Sequence, residues 1–338
     1  MENVETEKVR LDPAGFFGKI PLEPHQLADE ITRREHVIVL CHLGVPRIEK
    51  DAWSLAIDGL VRDPVTLSWD DLKRFPSHGI TTIHQCAGSP LAPQEPKRRI
   101  VNVRWSGVRL ADVLKRCGIL PGATHVWSQG ADYGEFGGIK VDRYQKDLPL
   151  SRLTSDVLIA TELNGEPLPA ENGYPARLVV PGFYGTNSTK WLNRITLADK
   201  RIDCPFTTRW YNDRVVDADG NDTGKTAPVW SIAPESVIVS PAPGELLKAG
   251  KRTTIWGRAW SDRGIESVSF SADGGASWSE ADVSERAERA WQTFTMDWTP
   301  PAPGEYALTS NATDVSGACQ PKQGSRNALH HLKVTVTG

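Results

Sequence analysis

The hydrophobic pattern of this chain changes at about Pro228, and the change restricts it to two domains of different construction. Beyond that point every apolar run is short. Val268 and Phe270 alternate with serines, and Ile255, Tyr306, Leu308, Leu332, Val334 and Val336 fit the same period of two. Asp273-Gly274-Gly275 supplies a hairpin turn. About seven turn-punctuated strands in about 110 residues predict an immunoglobulin-like sandwich over residues 229–338. No cysteine pair lies in it, so it is not a disulfide-stapled antibody domain.

Residues 1–228 read differently. Leu55, Ile57 and Gly59 alternate along a strand, and Arg62-Asp63-Pro64 turns it. Residues 68–75 open with Ser68 as a cap and carboxylates in the first turn, so they read as a short helix. Leu110, Val113 and Leu114 share a face of a second helix over 108–116, which Gly118 ends. A further helix is expected around 26–34, and strands over 124–128, 176–180 and 195–197. Strands and short helices without a βαβ rhythm predict an α+β domain. Residues 213–226, polar and rich in glycine, read as a linker or an exposed loop.

The 338 residues suffice for two cores, and 39% hydrophobic with 24% charged residues is the make-up of an ordinary soluble protein. A net charge of -3, from 39 basic and 42 acidic residues, gives no reason to invoke nucleic acid. No apolar run approaches a membrane span. The acidic, polar start, Met1 to Glu7, has neither a twin arginine nor an apolar core, so the expected location is cytoplasmic, or periplasmic had an export signal been removed. Cys41, Cys86, Cys117, Cys204 and Cys319 are scattered without a Cys-x-x-Cys pair, which fits neither a zinc site nor a disulfide scaffold. Without Cys-x-x-Cys-His, no haem is expected in this chain, and an electron-transfer haem would belong to another protein. Several of the 12 tryptophans fall in the last third, where large rings suit a thin core or a buried dimer interface.

Gln85-Cys86-Ala87-Gly88 concentrates the chemistry. It follows the β-prone run Ile80-Thr81-Thr82-Ile83-His84, so Cys86 stands where a strand gives way to a glycine-containing loop. The strand fixes the direction of the thiol, and Ala87 and Gly88 leave room above its sulfur. Further on come Asn164-Gly165-Glu166-Pro167-Leu168-Pro169, the run Tyr174 to Gly182, and Tyr184-Gly185 leading to Lys190-Trp191-Leu192. In this order and spacing these segments resemble the sulfite oxidase family of molybdenum enzymes. The resemblance extends from about residue 20 to the C-terminus and includes Ser271 to Trp278 in the sandwich, which is similar to the family's dimerisation domain.

The resemblance implies a cofactor, molybdenum–molybdopterin, and a set of residues that hold it. Cys86 matches the position of the single protein thiolate on the metal, a soft donor suited to such a centre. Arg177, Asn187, Ser188 and Lys190 match cofactor-lining positions, with cations for the phosphate and amide or hydroxyl donors for the ring edges. Asn172, Asp132 and His42 match further lining positions, and Tyr211 is the expected active-site tyrosine. The other four cysteines are assigned to packing. The reaction implied by the resemblance is two-electron oxygen-atom transfer on a small molecule, with electrons leaving one at a time to an external carrier such as a cytochrome. The implied assembly is a homodimer joined through residues after about 229. Sulfite is expected to be a poor substrate. The position two residues before His42-Leu43-Gly44-Val45-Pro46, where sulfite-oxidising members carry arginine, is Leu40, and Ser89-Pro90-Leu91 replaces another arginine. Lys322 or Arg326 is left for the third, and Arg98 or Arg99 could arrive from elsewhere. A reductase of a neutral oxide such as a sulfoxide, and a cofactor-free association protein, are the competing readings.

Overall fold

Two sheets make the first domain. The computed structural model describes residues 9–19, 21–89, 95–216, 222–323 and 326–338. One sheet runs in the order Gln145–Pro149, His125–Gly130, Leu192–Ala198, Ser54–Gly59, Val65–Ser68, and of its pairs Leu192–Ala198 with Ser54–Gly59 is parallel. The other runs Glu166–Pro167, Leu158–Leu163, Ile100–Arg109, Ser77–Gln85, antiparallel throughout, and Arg177–Val179 also pairs with Leu158–Leu163. Alternation sets the faces: Ser54–Gly59 buries Leu55 and Ile57 while Ser54 stays exposed.

Both expected short helices form. Trp69–Lys73 is capped reciprocally, the Ser68 hydroxyl accepting from the Asp71 amide and the Asp71 carboxylate from the Ser68 amide. Leu110–Cys117 buries Leu110, Val113, Leu114 and Cys117, and Gly118 ends it at φ +68°. These faces and both sheets close over one core that includes Leu55, Ile57, Ile159, Leu178 and Ile195.

The expected helix around 26–34 does not form; only the single turns Pro24–Gln26 and Arg34–His36 touch its two ends. Its carbonyls are taken by side chains from elsewhere. Arg258 of the second domain donates to Leu27 O and Ala28 O, and Asn102 donates to Glu30 O, so these carbonyls find partners outside a helical ladder. Nor is 213–226 a simple linker. Asn212–Val216 pairs with Asp222–Pro228 as an exposed antiparallel hairpin.

After it comes one continuous path of eight strands in the order Glu235–Ser240, Thr253–Trp260, Gln292–Trp298, Ser279–Val283, Ile265–Ser271, Gly304–Asp314, His331–Thr337, Leu246–Lys248. The path folds on itself as a sandwich, because Ile255 and Phe294 from one half share a core with Phe270, Leu308 and Val334 from the other. The tryptophans divide: Trp298 packs against the sandwich core as expected, and others do not. Trp260 and Trp291 leave the sandwich core and pack with Ile83, Ala87, Ile100 and Tyr184 in a seam between the domains. Cys319, expected to be packed, is exposed.

Candidate active site

Cys86 does stand at the end of a strand. Ser77–Gln85 delivers it, and the Cys86 amide continues the ladder by donating to Arg99 O at 2.9 Å. Alternation sends His84 and Cys86 to one side, where both line a cavity, and Gln85 to the other. The cavity holds about 660 Å³ of free space including its mouth. Burial pushes the Cys86 thiol up, while the Gly88 amide, 3.4 Å from Sγ, and the charges of Arg99 and Arg326 pull it back.

Of the residues expected at the cofactor, His42, Cys86, Asp132, Asn172, Arg177, Ser188, Lys190 and Tyr211 all line this cavity. Asn187 does not. Its amide donates to Tyr184 O at 3.0 Å and Val229 O at 2.9 Å, so it ties the loop to the chain entering the second domain.

Arg177 is the central cation. It lies 4.8 Å over the Trp105 ring and donates to Asn172 O at 2.9 Å and Ser188 O at 3.0 Å, with no carboxylate partner among the described residues. Burial pulls its pKa down to about 9, so it stays charged at neutral pH. A guanidinium has five N–H donors, and these contacts leave some for a ligand. Lys190 differs: its Nζ donates to Leu40 O, Cys41 Sγ and Glu171 O at 3.0, 2.8 and 2.9 Å. All three ammonium protons are engaged, so Lys190 gives the cavity charge rather than a free donor. Cys41 is therefore more than packing, since its sulfur holds this lysine.

Asp132 is buried with Oδ1 lacking a hydrogen-bond partner, and burial raises its pKa to about 7 against the pull of Lys190. His42, enclosed by Phe136, Tyr144 and Phe206, has its pKa lowered to about 3 by burial and by the charges of Lys190 and Lys146. It is neutral, and its Nε2 lies 2.5 Å from the Tyr211 hydroxyl. Burial and the neighbouring Cys86 raise the Tyr211 phenol, so it keeps its proton. Tyr211 adopts φ +60°, a strained conformation for an aromatic residue that its surroundings must enforce.

Two polar lining residues, His84 and Tyr144, lie outside the cofactor-like motifs, while Gly185 and Thr186 lie inside the run from Tyr184 to Leu192. His84 is kept neutral by burial and by the charges of Arg177 and Lys190. Tyr144 donates to Thr186 O at 2.7 Å, fixing the turn that carries Gly185. A Cβ at Gly185 would meet His84 Nε2 at 3.0 Å and Gln85 O at 3.2 Å, so only glycine lets this turn approach the cysteine strand closely. The period-two offset from Cys86 is the one signal that could have marked His84.

An uncompensated guanidinium, a second, half-buried cation, an orphaned carboxylate oxygen and two thiols, of which Cys41 is bonded to Lys190 and Cys86 is not, face a common space and suit an anionic, hydrogen-bonding cofactor with a soft metal. Among the described residues, no group of three or more His, Cys, Asp or Glu is placed to hold a metal ion. Residues 42–206 match the model described as oxidoreductase molybdopterin binding domain, and 226–334 the Mo-co oxidoreductase dimerisation domain. The chain is 33% identical to sulfite oxidase of Arabidopsis thaliana over 301 residues, 81% of this chain and 75% of that one. It belongs to the sulfite oxidase family. Human mitochondrial sulfite oxidase is 31% identical over 331 residues, 88% of this chain, which spans only 60% of that relative's length. Among solved structures, the sulfane dehydrogenase SoxCD of Paracoccus pantotrophus matches with TM-score 0.74 and 30% identity, over 95% of this chain and 86% of that one. The chain thus joins a molybdopterin-binding domain of the sulfite oxidase type to an immunoglobulin-like domain that matches the family's dimerisation domain.

Leu40, at the position where a cation was the alternative, lines the cavity, and so does Ile38. Leu91 lies outside the described residues. Lys322 is exposed, and Arg98 is buried in the domain seam rather than the cavity. Arg99 and Arg326 hold the cysteine loop from outside, donating to Gly88 O at 2.5 Å and Ala87 O at 2.7 Å, and neither lines the cavity.

Proposed function

We propose that this protein transfers an oxygen atom to a substrate other than sulfite, one with little charge at the reacting atom. In the overall reaction the substrate gains one oxygen from water and releases two electrons and two protons. An external carrier such as a cytochrome takes the electrons, and the homodimer forms through the second domain. The observation that carries this reading is Leu40 in the cavity wall. The similarity to a sulfane dehydrogenase supports divalent sulfur as the substrate class.

When bound, molybdenum–molybdopterin supplies the redox chemistry. The chain's residues orient and shield it. Arg177, with Ser188 and Asn172 beside it, would hold the phosphate, Lys190 would add charge, and Asp132 and His42 would meet the polar ring edges. Cys86 would give the metal its thiolate. Tyr211 keeps a phenol proton that it can donate towards a developing oxide, with neutral His42 holding the ring in place. The same apolar wall suits the reverse reaction, reduction of a neutral sulfoxide; ferricyanide turnover with a reduced substrate separates the two from viologen-driven reduction of an oxide.

The test is steady-state kinetics of molybdenum-replete enzyme with sulfite and ferricyanide at low salt. A hydrogen bond to a charged group is worth about 1.5–3 kcal/mol, so two missing arginines forfeit roughly 3–6 kcal/mol, or about a hundred- to ten-thousand-fold in kcat/KM. A kcat/KM for sulfite above about 10⁶ M⁻¹s⁻¹ would refute the charge argument.

A further inference from the structure

We infer that the second domain positions the Cys86 thiol, with Glu235, Trp260 and Arg326 as positioning residues acting across the domain seam. The inference rests on the reading of Cys86 as a metal ligand. All four carbonyls of the cysteine loop are engaged. Cys86 O accepts from Ser89 N at 3.1 Å, Ala87 O from Arg326 at 2.7 Å, Gly88 O from Arg99 at 2.5 Å and Ser89 O from Gln85 at 2.8 Å. Two of these four depend on the second domain. Arg326 comes from it directly, and Gln85 is held by it at both ends of its amide.

Gln85 Nε2 donates its other proton to Glu235 Oε2 at 2.6 Å, and Gln85 Oε1 accepts from Trp260 Nε1 at 3.0 Å. A carboxylate on one side and an indole N–H on the other allow a single orientation of that amide. Glu235 is itself anchored, with Oε1 3.2 Å from Arg98 Nε. Upstream, the second domain also covers the free edge of the cysteine strand: Ile83 N donates to Arg289 O and Arg289 N to Thr81 O, both at 3.1 Å. The thiol is therefore aimed by a strand and a loop that the second domain clamps at successive points. Partners that orient a metal ligand change affinity or activity when lost, even though they touch neither metal nor substrate.

The test uses the full-length, cofactor-loaded protein and the variants Glu235→Gln, Trp260→Phe and Ser236→Ala. Glutamine at 235 has one acceptor oxygen for two donors, Gln85 and Arg98, so the relay breaks with little change in volume. Ser236 bonds only within the second domain among these contacts, to Ser310 and Gln320, and serves as control. Glu235→Gln is expected to lower kcat about 10- to 100-fold with KM little changed. It should also shift the thiolate-to-metal absorption and speed amide exchange in residues 86–89. Ser236→Ala should move none of these. Should Glu235→Gln fail to fold, Trp260→Phe carries the same expectation. A relay variant that only melts earlier, with loop exchange, absorption and kcat as in the wild type, overturns the proposal. The Cys86→Ser protein separates the two readings: a thiolate-to-metal band that survives it removes the ligand assignment, and the proposal with it.

Discussion

At the seam between the domains, Arg98 faces Glu235 and Arg258 faces Glu30. Around the cavity, Arg177 is buried and Lys190 half-buried, yet neither has a carboxylate ion-pair partner among the described residues. Taking a charge out of water costs several kcal/mol unless something compensates it. At the seam the compensation comes from within the chain, so those charges serve the fold. At the cavity it is incomplete until an anion arrives, so those charges serve a ligand. Arg98 and Arg177 are equally deep; the partner tells them apart.

The seam is where breaking a pair should do most harm. Arg98→Met leaves the Glu235 carboxylate buried without its cation, a change worth about 3–5 kcal/mol of stability. Glu235 already has its pKa raised to about 7, and loss of Arg98 would raise it further. The destabilisation should therefore be smaller at pH 5, where the carboxyl takes up a proton, than at pH 8. Urea unfolding of both proteins at the two pH values measures it. Equal stability of variant and wild type at pH 8 would mean that the seam charges are not a working pair.

The same contrast explains what the sequence could reveal. Cys86, Arg177 and Lys190 are legible because each sits in a local motif, and the chain delivers them to one cavity. The alternating strands after Pro228 are legible because one buried face imposes a period of two. Asn187 sits in a cofactor-like motif, yet its amide N–H groups go to Tyr184 O, three residues back, and to Val229 O, a distant partner that the motif does not announce. The helix expected around 26–34 does not form, and two carbonyls of that segment instead accept from Arg258, more than two hundred residues away. His84 is marked only by its period-two offset from Cys86, and Tyr144 lies beside an ordinary strand, where nothing in the spacing separates a cavity side chain from a core one. Local chemistry is legible in the sequence; partners supplied across the seam are not.

A smaller effect should appear on the cavity side as a dependence on pH. Asp132 has its pKa raised from 3.8 to about 7. The folded chain therefore binds this proton more tightly than the unfolded chain. That contribution is fully present below about pH 4, is lost as pH rises towards 7, and stays lost above it. Asp132→Asn removes the dependence. In cofactor-free protein the variant should gain on the wild type by on the order of 3 kcal/mol more at pH 8 than at pH 5. A gain that is the same at both values would place a partner on Asp132 that the cavity does not show.

The smallest effect on stability should come from Arg177→Met, the direct counterpart of Arg98→Met. Both replace a buried guanidinium with an apolar chain of similar length. Removing Arg177 leaves no carboxylate stranded. It loses hydrogen bonds to Asn172 O and Ser188 O and the stack on Trp105, and it relieves the burial of a charge without a carboxylate partner. These terms oppose each other, so cofactor-free stability should change by about 1 kcal/mol or less, against about 3–5 kcal/mol at the seam. With cofactor the order reverses. Loss of a charged hydrogen bond to a phosphate is worth about 1.5–3 kcal/mol, so Arg177→Met should retain molybdopterin about 10- to 150-fold less tightly, while Arg98→Met binds it normally once folded. Urea unfolding of the two cofactor-free variants, paired with pterin content after gel filtration, reads both halves. Equal destabilisation by the two substitutions would break the comparison, because Arg177 would then be a structural charge whose partner is the fold itself.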